Sequence, residues 1–441
     1  MFSPGIIVAP ASATGGAIAV IRVSGEGSIA LCDNIFRGRK PLIEAATHTL
    51  HYGNIVEGER VIDDVLVSVF HAPHSYTGEQ SVEISTHGSQ YIVNAIITLL
   101  CNQGARLAEP GEFSARAFAA GRIDLSQAEA VADIIAADSQ AAHIIASTQM
   151  RGGYSETLNS LRDQLIELTS LLELELDFGE EDVLFADRSR LEQMLSQTIS
   201  VVERLKKSFH TGNAIRNGVG VAIVGAPNVG KSTLLNRLVG EQRAMVSDIA
   251  GTTRDTIEES VVIDGIRFRF IDTAGIRTTD DTLERMGIER TMAAVKRGQI
   301  VISMAEPTGD FESIETTESQ TVIRVVNKAD TTSEHNIADA IYISARENIG
   351  IDRLIAALRE TVDTTAAYRG EAVVSNLRHY EALTAALTAL VSAHSALING
   401  ISSELLAEDI RLAINHIGEI TGSITSDTIL QSIFSSFCIG K

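Results

Sequence analysis

Residues 225–232, Gly225-Ala226-Pro227-Asn228-Val229-Gly230-Lys231-Ser232, constrain this chain more than any other stretch. They fit G-x-x-x-x-G-K-S and stand directly after the apolar run 219–224 and just before the helical stretch 233–239, the strand, loop and helix order that a phosphate-cradling loop requires. The glycines let the backbone fold tightly so that successive N–H groups point at phosphate oxygens, and the helix N-terminus adds partial positive charge. In that setting Lys231 neutralises the β and γ oxygens, and the Ser232 hydroxyl ligates Mg²⁺. The fold expected around such a loop is a doubly wound, mostly parallel sheet. Strand-like runs at 219–224, 267–271, 300–304, 321–326 and 341–343, alternating with helical segments, agree.

Four further elements follow in the order of a GTP site. Gly251-Thr252-Thr253-Arg254-Asp255 offers Thr253 as a second hydroxyl for Mg²⁺. Asp272-Thr273-Ala274-Gly275 comes after a strand, so that Asp272 reaches the metal through water and the Gly275 N–H approaches the γ-phosphate. Asn327-Lys328-Ala329-Asp330 ends another strand, and Asp330 there can accept both N1–H and N2–H of guanine, a pair adenine lacks. Ser344-Ala345 closes on the base. Each alone is weak, and five in order predict GTP binding and hydrolysis. The glutamine that aligns water in small signalling GTPases is replaced by Ile276, and Glu284, within Asp280-Asp281-Thr282-Leu283-Glu284-Arg285, is the nearest plausible water-orienting carboxylate. Spacing alone leaves two readings of Glu284 open, a water-orienting base or a solvated helix residue.

At roughly 100–200 residues per domain, 441 residues imply about two to four domains. Residues 1–118 alternate β-branched runs with glycine turns, an α+β pattern; 122–210 and the stretch past 375 carry helical spacing, as in Leu161, Leu165, Leu168, Leu172 and Leu176. The nucleotide-binding unit therefore reads as an insertion within a helical domain. The expected plan is residues 1–118 as an N-terminal domain, 119–215 as the first helical part, 216–368 as the inserted domain and 369–441 as the second helical part. No internal repeat, signal peptide or run of 18 apolar residues is evident, which predicts a cytoplasmic protein without a membrane span. Three cysteines, Cys32, Cys101 and Cys438, lack metal-ligand spacing. A formal charge of −21 argues against gripping nucleic acid unaided and leaves room for a local basic patch.

Residues 17–25 (AIAVIRVSG), 76–88 (YTGEQSVEISTHG), 106–131 (RLAEPGEFSARAFAAGRIDLSQAEAV) and the terminal Phe437-Cys438-Ile439-Gly440-Lys441 join the GTPase motifs in resembling the MnmE (TrmE) family of tRNA-modification GTPases over the whole length. That resemblance implies a folate-binding N-terminal domain that dimerises, a split helical domain and K⁺-dependent hydrolysis when two GTPase domains meet. It assigns the K⁺ loop to Asn228, Ser247, Ile249 and Thr252, and makes Glu284, with Lys231, catalytic. The nucleotide-contacting set it implies is Asn228, Val229, Gly230, Lys231, Ser232 and Thr233; Ser247, Asp248, Ile249, Ala250, Gly251, Thr252 and Thr253; Asp272, Thr273, Ala274 and Gly275; and Asn327, Lys328, Asp330, Ser344 and Ala345. It gives Arg22, Glu83, Arg122 and Lys441 to a tetrahydrofolate derivative, 5-formyl or methylene, with Arg122 where the family more often has lysine. From their strand positions alone, Arg22 and Glu83 also read as a cross-strand ion pair. Cys438 has two readings, a reactive thiol near a one-carbon site or an inert buried one.

The implied partner is an FAD-containing flavoprotein of the MnmG (GidA) kind, forming a heterotetramer with a homodimer of this chain and holding most of the tRNA. The implied reaction installs an aminomethyl or carboxymethylaminomethyl group at C5 of the wobble uridine. A reading from another class is a regulatory GTPase of ribosome or tRNA metabolism whose N-terminal domain is a protein-interaction module.

Overall fold

The computed structural model describes residues 4–177, 188–242, 259–271, 292–317, 320–332, 337–435, 437, 438 and 440. Packing divides the chain into two compact units: Met1–Ala132 with Met150–Ile166 and Ile414–Lys441, and Asp133–Gln149 with Glu167–Ala413.

The first unit is built on seven strands: β1 (Ile7–Pro10), β2 (Ile18–Ser24), β3 (Phe36–Gly38), β4 (Thr49–Glu57), β5 (Arg60–Phe70), β6 (Ser81–His87) and β7 (Arg106–Leu107), ordered β3-β4-β5-β6-β2-β1-β7. All pairs are antiparallel except β1 with β7. Alternation decides which face is covered: Ala19, Ile21 and Val23 of β2 and Val65, Val67 and Val69 of β5 point into one core with Ile84, and α1 (Ser28–Ile35) and α2 (Gln90–Asn102) close it with Ile35 and Ile96. α3 (Glu112–Ala119) and the start of α4 (Leu125–Ala136) supply Ala115, Leu125 and Ala128 to a smaller core with Phe437 and with Leu430 and Phe434 of the C-terminal Asp427–Ser435 helix. Gly111, in the left-handed region at φ 67°, permits that docking, because a Cβ would meet the Phe434 carbonyl.

In this unit Glu112 is fully buried yet charged groups surround it. Its Oε1 accepts from Arg106 Nη2 at 2.5 Å and Arg116 Nη2 at 2.9 Å, and Arg116 Nη1 also reaches Glu79 Oε2 at 3.0 Å.

The helical spacing expected after residue 122 resolves into several helices. α4 is followed by α5 (Gln140–Met150), α6 (Gly153–Asp177) and α7 (Arg188–Asn217). The leucine repeat lies on α6, where Leu161, Leu165, Leu168 and Leu172 are buried; the side chain of Leu176 lies outside the described residues.

The second unit contains a six-stranded sheet: β8 (Val219–Gly225), β9 (Glu259–Ile263), β10 (Ile266–Phe270), β11 (Ile300–Ala305), β12 (Thr321–Val326) and β13 (Ala340–Tyr342), ordered β13-β12-β11-β8-β10-β9. Five strands run parallel and β9 alone is antiparallel to its neighbour β10, the doubly wound, mostly parallel sheet expected. β9 is not among the strands read from the sequence. Every residue of β8 and β11 is buried, as a central parallel strand covered on both faces must be. α8 (Lys231–Gln242) follows β8, and α9 (Ile351–Glu360) supplies Leu354 and Leu358 to the same core.

Helices α10 (Thr365–Tyr368) and α11 (Leu377–Ile398) follow, then α12 (Ser403–Thr421) and α13, the Asp427–Ser435 helix. By length and composition α11 is apolar enough to cross a membrane, with mean hydropathy 1.4 over 18 residues, which the sequence reading did not anticipate. It packs along α7, with Leu383, Ala386, Leu390 and Ala393 buried on it and Leu195, Val202 and Leu205 on α7. Phe209 and Tyr380 stack at 4.5 Å between ring centroids.

Candidate functional site

The expected nucleotide loop sits at the C-terminal end of β8, where a doubly wound sheet binds ligands. Three residues take left-handed backbone angles: Gly225 at φ 145°, Asn228 at 63° and Gly230 at 102°. A Cβ on Gly225 would strike the Met304 carbonyl of β11, and one on Gly230 would strike the Asn327 carboxamide, so both glycines are demanded by close approach. Lys231 and Ser232 open α8 and are half-buried, and Thr233 is exposed beside them. Lys231 Nζ donates to the carbonyls of Gly225 at 2.5 Å and Ala226 at 3.0 Å, which folds the ammonium back over the loop. Burial holds the Lys231 ammonium below its ordinary pKa, and the Glu312 carboxylate opposes that shift.

Asn327 joins the pieces. It is 4% exposed; its Nδ2 donates to the Val229 carbonyl of the loop at 2.7 Å, and its Oδ1 accepts from the Ala345 N–H at 3.0 Å. One carboxamide thereby spans sequence separations of 98 and 18 residues and holds the phosphate loop against the Ser344-Ala345 loop. Arg237 of α8 adds a second tie through Nε to the Ala345 carbonyl at 3.2 Å and Nη2 to the Arg346 carbonyl at 2.8 Å. Lys328, at φ 61°, pairs with Glu306, and Asp330 is exposed in the turn that follows. Ser344 Oγ accepts from the Glu347 N–H at 3.2 Å. The structure therefore gathers Asn228, Val229, Gly230, Lys231, Asn327, Ser344 and Ala345 at the carboxyl-terminal ends of β8, β12 and β13. Ser247, Asp248, Ile249, Ala250, Gly251, Thr252, Thr253, Asp272, Thr273, Ala274, Gly275 and Glu284 lie outside the described residues.

A second candidate site lies in the first unit. Arg22 and Glu83 face each other across β2 and β6, and Arg22 Nε donates to Glu83 Oε1 at 2.9 Å, so the cross-strand pair is present. More than a pair is built there. Arg22 Nη1 donates to the Gly440 carbonyl at 3.3 Å, and its guanidinium carbon lies 5.4 Å from the Tyr76 ring centroid and 5.7 Å from that of Phe113. Burial raises the Tyr76 phenol, against its hydrogen bond with Ser114 and the charge of Arg22. Gly440, at φ 98°, is seated so closely on Pro10 that a Cβ would overlap the Pro10 carbonyl. Arg122 is held by its N–H to the Ala117 carbonyl at 2.9 Å, with its aliphatic stem beside Gly78. Lys441 lies outside the described residues, and Cys438 is exposed, against the buried reading of it. Tyr76 and Phe113 were missed because nothing in local spacing signals that rings 37 residues apart, by subtraction of their numbers, flank one guanidinium.

Strand order, loop geometry and the sequence of nucleotide motifs together define a P-loop GTPase. Residues 6–122 match the family described as the GTP-binding protein TrmE N-terminus, and residues 125–438 match the MnmE helical domain. The chain is similar to proteins named tRNA modification GTPase MnmE: 47% identical to that of Flavobacterium johnsoniae, covering 100% of both chains. It is 46% identical to that of Christiangramia forsetii and 47% to that of Bacteroides thetaiotaomicron, each over 99% of both chains. The chain belongs to the MnmE (TrmE) family of tRNA modification GTPases.

Proposed function

We propose that the chain hydrolyses GTP to GDP in a Mg²⁺-dependent, K⁺-stimulated manner and, as a cytoplasmic homodimer joined to an FAD-containing partner of the MnmG (GidA) kind, takes part in modifying C5 of the wobble uridine of certain tRNAs. The observation that supports this reading is the Asn327 brace, which ties the 225–232 loop to the Ser344-Ala345 loop at the carboxyl ends of strands in one sheet. Membership of the family supports the tRNA half of it.

Within the site, backbone N–H groups of residues 228–233 would cradle the β- and γ-phosphates, and Lys231 would take charge from their oxygens. The Ser232 hydroxyl on the first turn of α8 fits a Mg²⁺ ligand, with Thr253 as its expected companion. Mg²⁺ supplies charge neutralisation of the phosphates when bound. Asp330 would select guanine, since a carboxylate without donors opposite it leaves the wrong base costly. Glu284 would orient the attacking water, and Asn228, Ser247, Ile249 and Thr252 would hold K⁺. Glu284→Ala is expected to leave GDP affinity intact and to cut turnover by about 10²-fold or more; an unchanged rate would return Glu284 to the solvated surface. GTP turnover compared in KCl and NaCl at equal ionic strength should be faster in KCl, and equal rates would remove K⁺ from the account.

In the N-terminal part, an arginine close to two aromatic rings, paired with Glu83 and touching Gly440, fits a planar, carboxylate-bearing tetrahydrofolate. Arg122 and Lys441 would complete that site, and the folate would supply the one-carbon unit. The domain plan proposed is the four-segment one, with the GTPase unit inserted in the helical domain and its movement gating the partner's site. Mass analysis of wobble uridine tests the whole: tRNA from cells lacking this chain should lose the C5 substituent and regain it with the wild-type gene. Unaltered wobble uridine would sink the reading.

A further inference from the structure

The edge of the second sheet opposite the phosphate loop carries its own site. The N-terminal ends of β8, β11 and β12, with the end of α7, line a cavity of about 960 Å³. It lies about 20 Å from the loop, judged by the seven-residue length of β8. Arg267, Arg269, Lys296, Arg297 and His210 line it, and no Asp or Glu does among the described residues. In a chain with 57 acidic and 36 basic residues, such a lining is a local reversal of charge.

The cavity is built. Gly218, at φ 80°, forms its floor, and a Cβ there would lie 2.9 Å from Arg269 Cγ and 3.2 Å from Arg267 Cγ, so only glycine lets the two arginine stems cross it. Arg269 Nε donates to the Gly218 carbonyl at 3.3 Å. The wall is braced by Gln320, whose Nε2 donates to the carbonyls of Val295 at 2.6 Å and Gly298 at 2.7 Å while its Oε1 accepts from the Thr317 N–H at 2.9 Å. Gln299 Oε1 accepts from the Gly220 N–H at 2.6 Å on the other side.

Helix-end electrostatics account for part of the lining. Lys296 and Arg297 end a helical stretch whose last carbonyls favour cations. Arg267 and Arg269 are on β10 instead, two apart and therefore on one face. Arg267 spends part of its guanidinium on Asp138 and on Ser260 Oγ at 3.3 Å. Together these groups gather positive charge at one concavity, where guanidinium forks match phosphate oxygens.

We propose that this cavity binds a small polyphosphate, a ligand carrying two or three linked phosphoryl groups, at a site separate from the phosphate loop. The volume suits a compact ligand of nucleotide size. RNA phosphates share this chemistry, and competition with tRNA separates the two. Both crossings into the nucleotide-binding unit border the cavity, through Asn217-Gly218-Val219 at the entry and Thr361-Val362 near the exit, so a bound anion ties the two together. This inference is independent of the tRNA reading.

Calorimetry on the full chain saturated with GDP tests it, with inorganic tripolyphosphate as the probe. One equivalent should bind with the phosphate loop already filled by GDP. Lys296→Gln and Arg269→Gln should each weaken that binding by about tenfold and leave GDP affinity unchanged. Lys296 is exposed, so its variant keeps the test valid if the Arg269 variant misfolds. No binding once GDP is saturating, or equal binding by a folded variant, would overturn the proposal. Displacement of the probe by tRNA at equal phosphate concentration would assign the site to nucleic acid and overturn it equally.

Discussion

Replacing Lys231 with alanine is expected to lower kcat/KM for GTP by about 10³–10⁴-fold, equivalent to ~4–5.5 kcal/mol of transition-state stabilisation. The size follows from position. Lys231 is half-buried at the start of α8, its ammonium already lies over the loop carbonyls of Gly225 and Ala226, and burial weakens its hold on the proton, so approaching phosphates strengthen the charged form. Alanine leaves the backbone cradle in place, because that cradle depends on Gly225, Asn228, Gly230 and the Asn327 brace. The thermal midpoint should therefore change little while both GTP affinity and turnover fall. Stopped-flow binding and single-turnover hydrolysis separate the two, and a variant within tenfold of wild type would show that the loop works without this cation.

The second large effect concerns stability. Glu112→Ala is expected to cost about 3–5 kcal/mol of unfolding free energy, because it strips the shared partner from Arg106 and Arg116, whose side chains are 31% and 12% exposed. Burial works against ionisation of Glu112, but hydrogen bonds from Arg106, the Glu109 N–H and Arg116 outweigh it and hold the carboxyl below the ordinary carboxylate range. A carboxyl depressed in the folded state stabilises fully above its unfolded value, about 4.3 for glutamate, and the contribution disappears as pH falls through the folded value. Stability owed to this group should hold steady from neutral pH down to about 5 and decline below about 4. Glu112→Gln should lack that acid-side component. Urea unfolding from pH 3 to 8 measures both, and a loss under about 1 kcal/mol at neutral pH for the alanine variant would refute the network's importance.

Much of the second sheet was legible residue by residue. Strands β8, β10, β11, β12 and β13 were placed to within one residue at either end, because each is an apolar or alternating run closed by a turn. β9 was missed although Val261-Val262-Ile263 followed by Asp264-Gly265, both at positive φ, is a local hairpin signal that pairs it with β10. The helical repeat on α6 could be read, whereas the number of helices around it could not. The apolar composition of α11 was not picked out in the sequence, and its alanines and leucines pack on α7.

The order of five nucleotide motifs and the match to a family are properties of the chain itself, since they rest on runs of neighbouring residues, whereas glycine is demanded at 225 and 230 by the approach of Met304 and Asn327 in the folded chain. Folding alone decided that Asn327 serves as a brace between two loops, that Arg22 lies close to both the Tyr76 and Phe113 rings and touches a residue 418 positions away, that Glu112 is shut in with two arginines, and that Arg267 and Arg269 pass over Gly218 in a cavity also lined by Lys296 and Arg297. Local patterns report which dihedrals a segment prefers. Contacts between distant segments depend on the sheet order and on which faces are buried together, and those emerge only when the whole chain has packed.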